Sequence, residues 1–228
     1  MLMNYAGRVP LSTVDWPGKA VTTIFLNGCP LRCPYCINAE MRTAESWQDI
    51  DLFDILDPYS VGLINGIVIS GGEPLMQEAA VRLLAHQAHE IDIEVAVETS
   101  GYYPEALEEV LWNLDAVFID MKEVFTHEAY TRATQVLGVW PRVFKSLELL
   151  MRTGTPFQAR TTVFDLPGYI LPTSEELEEI IVTLKIMSKA YPQNRYMGFK
   201  LQQGILPESY YGIKKRNQRV SKNAPGSG

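Results

Sequence analysis

Val21-Thr22-Thr23-Ile24-Phe25-Leu26-Asn27-Gly28-Cys29-Pro30-Leu31-Arg32-Cys33-Pro34-Tyr35-Cys36 is the stretch from which the fold can be read. Its first seven residues are mostly β-branched or apolar and read as a buried strand. That strand runs straight into a loop holding every cysteine of the chain, at 29, 33 and 36. Three thiols cannot all pair within one chain, and thiols this close make poor staples for 228 residues. Clustered thiols of this kind more often bind metal.

A structural zinc site asks for four protein ligands. The fourth would have to be His86, His89, His127 or a carboxylate. His86 and His89 fall in a long helical pattern and His127 near the start of another, so they read as surface residues. An iron–sulfur cube that only moves electrons also asks for four thiolates. With three, one iron stays open to a substrate or cofactor. Pro30 and Pro34 stiffen the loop by fixing φ.

Outward from this stretch, strands and helices alternate. Helix is expected over 46–57 with Ser46 as N-cap, and strand over 64–70, ended by Gly71-Gly72. Helix 75–89, strand 93–98, helix 105–114 and strand 116–120 follow. Two helices near 126–133 and 139–152 precede a strand at 157–163. Helix 174–189 carries Thr173 or Ser174 as N-cap, with Glu176 or Glu178 as capping-box partner. A weaker strand covers 195–201. Six β–α repeats imply a parallel sheet with helices outside. An open doubly wound sheet and a curved partial barrel both satisfy this pattern. A full eight-fold barrel takes about 250 residues, so the expected class is α/β, a partial (β/α)6 TIM-like barrel with parallel strands. Residues 1–213 form one domain, and 214–228 a basic tail.

Parallel α/β folds place chemistry at the carboxyl ends of the strands. There the sequence puts Gly71-Gly72-Glu73-Pro74, Glu98-Thr99-Ser100-Gly101, Asp120-Met121-Lys122, Arg160-Thr161-Thr162, and Lys200 with Gln202 and Gln203. A plain strand-to-helix turn explains Pro74 and one glycine. It explains less well an acid beside two glycines that bare the backbone to a ligand ammonium. Arg160, inside an apolar strand, requires a partner: Glu73, Glu98 or a ligand carboxylate.

The cysteine loop, with Tyr35 just before Cys36, resembles that of the radical S-adenosylmethionine (radical SAM) enzymes. The resemblance implies a [4Fe-4S] cluster on Cys29, Cys33 and Cys36. Its open iron would chelate the amino and carboxylate groups of S-adenosyl-L-methionine, with Tyr35 against the adenine side. Gly71, Gly72, Glu73 and Pro74 resemble the motif that holds the methionine amino group, and Glu98 and Ser100 the segment at the ribose hydroxyls. Asp120 and Lys122 resemble a segment of glycyl-radical activating enzymes in which the lysine reaches the cofactor and the acid helps hold a monovalent cation. Arg160 joins the cofactor-binding set by placement. Residues 11–19 resemble the entry segment of activating proteins for anaerobic ribonucleotide reductase.

The resemblance implies reductive cleavage to a 5′-deoxyadenosyl radical. That radical would make a glycyl radical on a partner enzyme, with a flavodoxin- or ferredoxin-type electron donor. A radical SAM enzyme acting on a small molecule, as in deazaguanine synthesis, and a non-catalytic zinc or iron–sulfur protein are the alternatives. With no second cysteine cluster, activases with a ferredoxin-like insert are disfavoured. The short chain suits a protein partner inserting a loop into an open rim.

Composition fits this reading. The chain is 46% hydrophobic and 21% charged, as in an ordinary globular protein. Its apolar runs are too short to span a bilayer, and no signal peptide is read at the N-terminus, so the expected compartment is the cytoplasm. The net charge of −7 argues against nucleic-acid binding. It divides into a basic tail and about −12 on residues 1–213.

Overall fold

Inward and outward side chains alternate along a strand, and here the two sets bury different partners. The computed structural model describes residues 1–59, 61–166 and 169–203. The tail expected over 214–228 lies outside the described residues. In chain order the elements are β1 (Leu2–Ser12), β2 (Val21–Leu26), β3 (Trp47–Asp49), α1 (Leu52–Ile55), β4 (Gly66–Gly71), α2 (Glu78–His89), β5 (Glu94–Thr99) and α3 (Pro104–Val110). They continue with β6 (Ala116–Asp120), α4 (His127–Thr134), α5 (Val139–Thr153), β7 (Pro156–Leu166), β8 (Tyr169–Leu171), α6 (Ser174–Ala190) and β9 (Arg195–Gln203).

One sheet contains them in the order β3-β1-β2-β4-β5-β6-β7-β8, with β9 also on β7. β2, β4, β5, β6, β7 and β9 run parallel. These are the six strands expected from the repeats. β1 and β3 add an antiparallel edge. Among the described residues no pairing joins β9 back to that edge, so the sheet is not closed.

Outward residues Ile67, Ile69, Val95, Val97, Val117 and Ile119 form the larger core with Val81 and Leu84 of α2, Leu107 of α3 and Leu147 of α5. The inward residues Val68, Ala96, Ala116 and Phe118 bury Trp16 from the loop between β1 and β2. Trp16 meets Phe118 edge-on, with centroids 5.8 Å apart. The Trp-Pro-Gly turn thus acts as a stopper at the amino ends of the strands.

Two expectations are corrected. Residues 46–57 do not form one helix. Trp47–Asp49 pairs with β1, and α1 starts only after Asp51, whose carboxylate accepts from the Phe53 and Asp54 N–H groups. Ser46 is not the cap, because Asp51, further along the chain, takes that place; the Ser46 carbonyl accepts from Tyr5 N–H and its own N–H donates to Asn4 Oδ1. The N-terminal stretch is an eleven-residue strand. It was obscured by Gly7 (φ +147°) and Pro10, which β1 accommodates at two register shifts. The capping box of Thr173 and Glu176 forms as expected. His86 and His89 lie on the surface of α2, with side chains 68% and 41% exposed. No described helix is long and apolar enough to cross a membrane.

Candidate active site

The carboxyl ends of the parallel strands surround a cavity of about 430 Å³. Cys29, Cys33, Tyr35 and Cys36 border it from the loop after β2. Gly71 and Gly72 border it after β4, Glu98 and Ser100 at β5, and Asp120 and Lys122 at β6. Thr162 of β7 and Gln202 of β9 complete the far wall. Glu73, Pro74 and Arg160 do not border it; all three are packed behind the rim.

Backbone contacts shape the cysteine loop. Gly28 N–H donates to Met41 O at 2.7 Å and Cys29 N–H to Arg42 O at 3.2 Å. Arg32 N–H donates to Thr134 O at the end of α4, 2.9 Å away. The glycines after β4 let this loop lie against them. A Cβ on Gly72 would sit 2.2 Å from Gly28 O, and one on Gly71 would sit 2.3 Å from Leu26 O.

Glu73 is 1% exposed and works as a bracket. One carboxylate oxygen accepts from Thr99 Oγ1 (2.7 Å) and Leu75 N–H (3.2 Å). The other accepts from Ser100 N–H (2.8 Å) and Ser100 Oγ. Burial raises its pKa, while the bonds from Ser100 and Thr99 oppose the rise. The side chain therefore ties the turn after β4 to the turn after β5. Each oxygen faces a backbone N–H, a donor that cannot turn round. In Glu73→Gln the amide NH₂ meets one of these donors in either orientation. Urea unfolding of that variant is expected to register a loss of about 1–3 kcal/mol.

Glu98 accepts from Ser70 Oγ (2.8 Å) and from Arg160 Nη1 (2.9 Å). Arg160 is 1% exposed. It donates through Nη2 to Asp15 O (2.7 Å), and its guanidinium lies 3.7 Å from the centre of the Phe118 ring. Of the partners expected for it, the structure selects Glu98. Burial and the nearby Asp120 raise the Glu98 pKa, and Arg160 opposes them. Asp120 and Lys122 pair at 2.7 Å. Burial alone would pull the Lys122 pKa down, but Asp120, Cys33 and Tyr35 hold it well above the ordinary lysine value.

The cysteines are free thiols. Burial pushes the Cys29 thiol up to about 12 and raises that of Cys33. Iron must therefore displace protons here, and its binding gains with pH. The donor set fits a cluster. Among the described residues, no group of three or more His, Cys, Asp or Glu could hold a single metal ion. Yet three thiols border one cavity, as a cube with each thiolate on a separate iron requires.

The sequence profile described as the Radical SAM superfamily matches residues 23–184. The chain belongs to the radical SAM superfamily. Radical SAM enzymes use a [4Fe-4S] cluster and S-adenosylmethionine, so this protein is a radical SAM enzyme and Cys29, Cys33 and Cys36 are the thiols available to such a cluster. A Methanocaldococcus jannaschii protein named as a glycyl-radical enzyme activating enzyme is 33% identical over 184 residues. That match covers 79% of this chain and 75% of the relative. The pyruvate formate-lyase-activating enzyme of Clostridium pasteurianum is 32% identical over 120 residues, half of each chain. The solved Streptococcus suis SuiB bound to S-adenosylmethionine superposes with a TM-score of 0.61 at 15% identity. This covers 86% of the present chain and 45% of SuiB, a likeness of fold.

Sequence reasoning passed over Asn38 and Arg42, which also border the radical SAM cavity. Asn38 Nδ2 donates to Gly71 O at 3.2 Å. The signal was weak: two polar side chains in a loop, where solvent exposure is the ordinary outcome.

Proposed function

We propose that this radical SAM enzyme is an activase that generates a glycyl radical on a partner protein, and that the partner is an anaerobic ribonucleoside-triphosphate reductase. The observation that carries the activase reading is the 33% identity to the M. jannaschii protein across most of both chains. Residues 11–19 support the choice of partner through their likeness to activating proteins of that reductase.

When bound, the reduced cluster and S-adenosylmethionine supply a 5′-deoxyadenosyl radical able to take the α-hydrogen of a glycine. The chain's own residues hold and orient these groups. Cys29, Cys33 and Cys36 would occupy three irons and leave the fourth free. Gly71 and Gly72 expose backbone to the methionine ammonium, and Pro74 and the Glu73 bracket fix their turn. Tyr35 would lie along the adenine, and Glu98 and Ser100 would meet the ribose. Arg160 acts from below by holding Glu98. Lys122 would turn from Asp120 to the cofactor, freeing Asp120 for a monovalent cation. The electron would come from a flavodoxin- or ferredoxin-type donor, and the reading has the enzyme act in the cytoplasm.

The test is anaerobic reconstitution with iron and sulfide. About four irons per chain are expected, with 5′-deoxyadenosine formed on adding dithionite and S-adenosylmethionine. Addition of the reductase should give a glycyl radical visible by spin resonance. Deoxyadenosine without a glycyl radical on the reductase would overturn that choice of partner, and the same result with pyruvate formate-lyase as well would overturn the activase reading and favour a small-molecule substrate.

A further inference from the structure

Beneath the cysteine loop, four segments meet in one buried amide network. Asn4 is 6% exposed and Asn27 4%. Asn27 Nδ2 donates to Asn4 Oδ1 (3.0 Å), which also accepts from Ser46 N–H (2.7 Å). Asn4 Nδ2 donates to Ala44 O at 2.9 Å. The Gln77 carboxamide uses both its ends. Its Oε1 accepts from Asn4 N–H at 2.8 Å. Its Nε2 donates to Asn4 O at 3.1 Å and to Asn27 O at 3.0 Å.

The position of Gln77 gives these bonds their meaning. It ends the short 3₁₀ turn Pro74–Gln77, which follows directly on Gly71-Gly72-Glu73. Asn27 is the residue at which β2 gives way to the cysteine loop. A single side chain thus ties the glycine turn to the stem of the thiol loop. Gly72 N–H to Leu26 O (2.8 Å) and Glu73 N–H to Gly28 O (2.7 Å) make the same connection through backbone.

We infer that Gln77 is a positioning residue for the radical SAM reaction: it sets the separation between the cysteine loop and the glycine turn, and so between the cluster and the methionine end of the cofactor. It acts through Asn4 and Asn27 and borders no part of the cavity. The site demands one acceptor and two donors at fixed places, which only a carboxamide of this length provides. A glutamate would aim an oxygen at two carbonyls; a methionine would satisfy none of the three groups. The inference rests on superfamily membership and is independent of the partner's identity.

Gln77→Glu and Gln77→Met test it at two levels. In the metal-free chain, hydrogen exchange at the amides of Asn4, Gly72 and Glu73 is expected to quicken about tenfold, while β6 keeps its protection. In the reconstituted chain, iron content is expected to match the parent, KM for S-adenosylmethionine to rise about tenfold, and the change this ligand makes in the cluster's spin-resonance spectrum to differ. Deoxyadenosine formation with dithionite is assayed with no partner present, so failure of the activase reading leaves the result intact. Parental exchange and a parental spectral change in both variants would overturn the inference. So would loss of iron together with protection throughout the chain, which would make the amide a requirement for folding alone.

Discussion

Gly72→Ala is expected to slow deoxyadenosine formation by about 10²-fold or more, since displacements near 1 Å cost that much at a reacting centre. The added methyl would sit 2.2 Å from Gly28 O, 2.8 Å from its carbon and 3.3 Å from Cys29 Cβ. These are mostly backbone atoms, so no side chain can turn aside. The cysteine loop and the glycine turn must separate, and Cys29, the first of the three thiols, moves with the loop. Overpacking of this kind costs about 3 kcal/mol, read as a lower urea midpoint. Gly138→Ala is the control. Gly138 has φ +73°, and a methyl added there would meet no atom within 4 Å. It should cost only the left-handed backbone, about 1 kcal/mol, and leave the rate unchanged. Equal rates for the two variants would refute the steric argument.

Arg160→Met is expected to lower stability by about 3–5 kcal/mol near neutral pH, the usual result of removing one partner from a buried ion pair. The loss has four parts: the bonds to Glu98, to Asp15 O and to Gln158 Oε1, and the contact with Phe118. The pH dependence identifies the first. Burial already raises the Glu98 pKa and Arg160 holds it down, so the variant raises it further. An acid whose folded pKa is raised destabilises the fold above its unfolded value and ceases to do so once both states are protonated. The gap between parent and variant should therefore narrow as pH falls and reach its smallest value once Glu98 is protonated in both folded proteins, which happens above the ordinary glutamate value because burial raises its pKa in the parent too. Paired urea titrations at neutral and acidic pH measure it. A gap independent of pH would assign the loss to the contacts that do not titrate, those with Asp15 O, Gln158 and Phe118.

The parallel core was legible because β2, β4, β5 and β6 are largely buried on both faces and carry little but apolar and β-branched residues until they end. Their polar ends were legible for the same reason: Ser70, Glu98 and Asp120 interrupt apolar runs, whereas Arg160 stands within β7. β1 was hidden because among the described residues it pairs beyond Asn4 with β2 alone, and a strand open on one side needs no continuous apolar pattern and tolerates Gly7 and Pro10. The same omission concealed the amide network, since Asn4 acquires its partners only once β1 lies beside β2. Glu73 was identifiable as special, but its direction was not. Whether a carboxylate faces a ligand or its own backbone depends on Thr99 and Ser100, residues from the next strand brought there by the sheet.

The tryptophan stopper governs traffic. Trp16 and Phe118 fill the interior at the amino ends of the strands, and the described residues that border the cavity lie at the carboxyl ends and on the loop after β2, which makes that rim a doorway. A macromolecule seated at that doorway would trap spent nucleoside and methionine behind it, so each visit would end after a single event. Turnover would then be governed by how quickly the two proteins part.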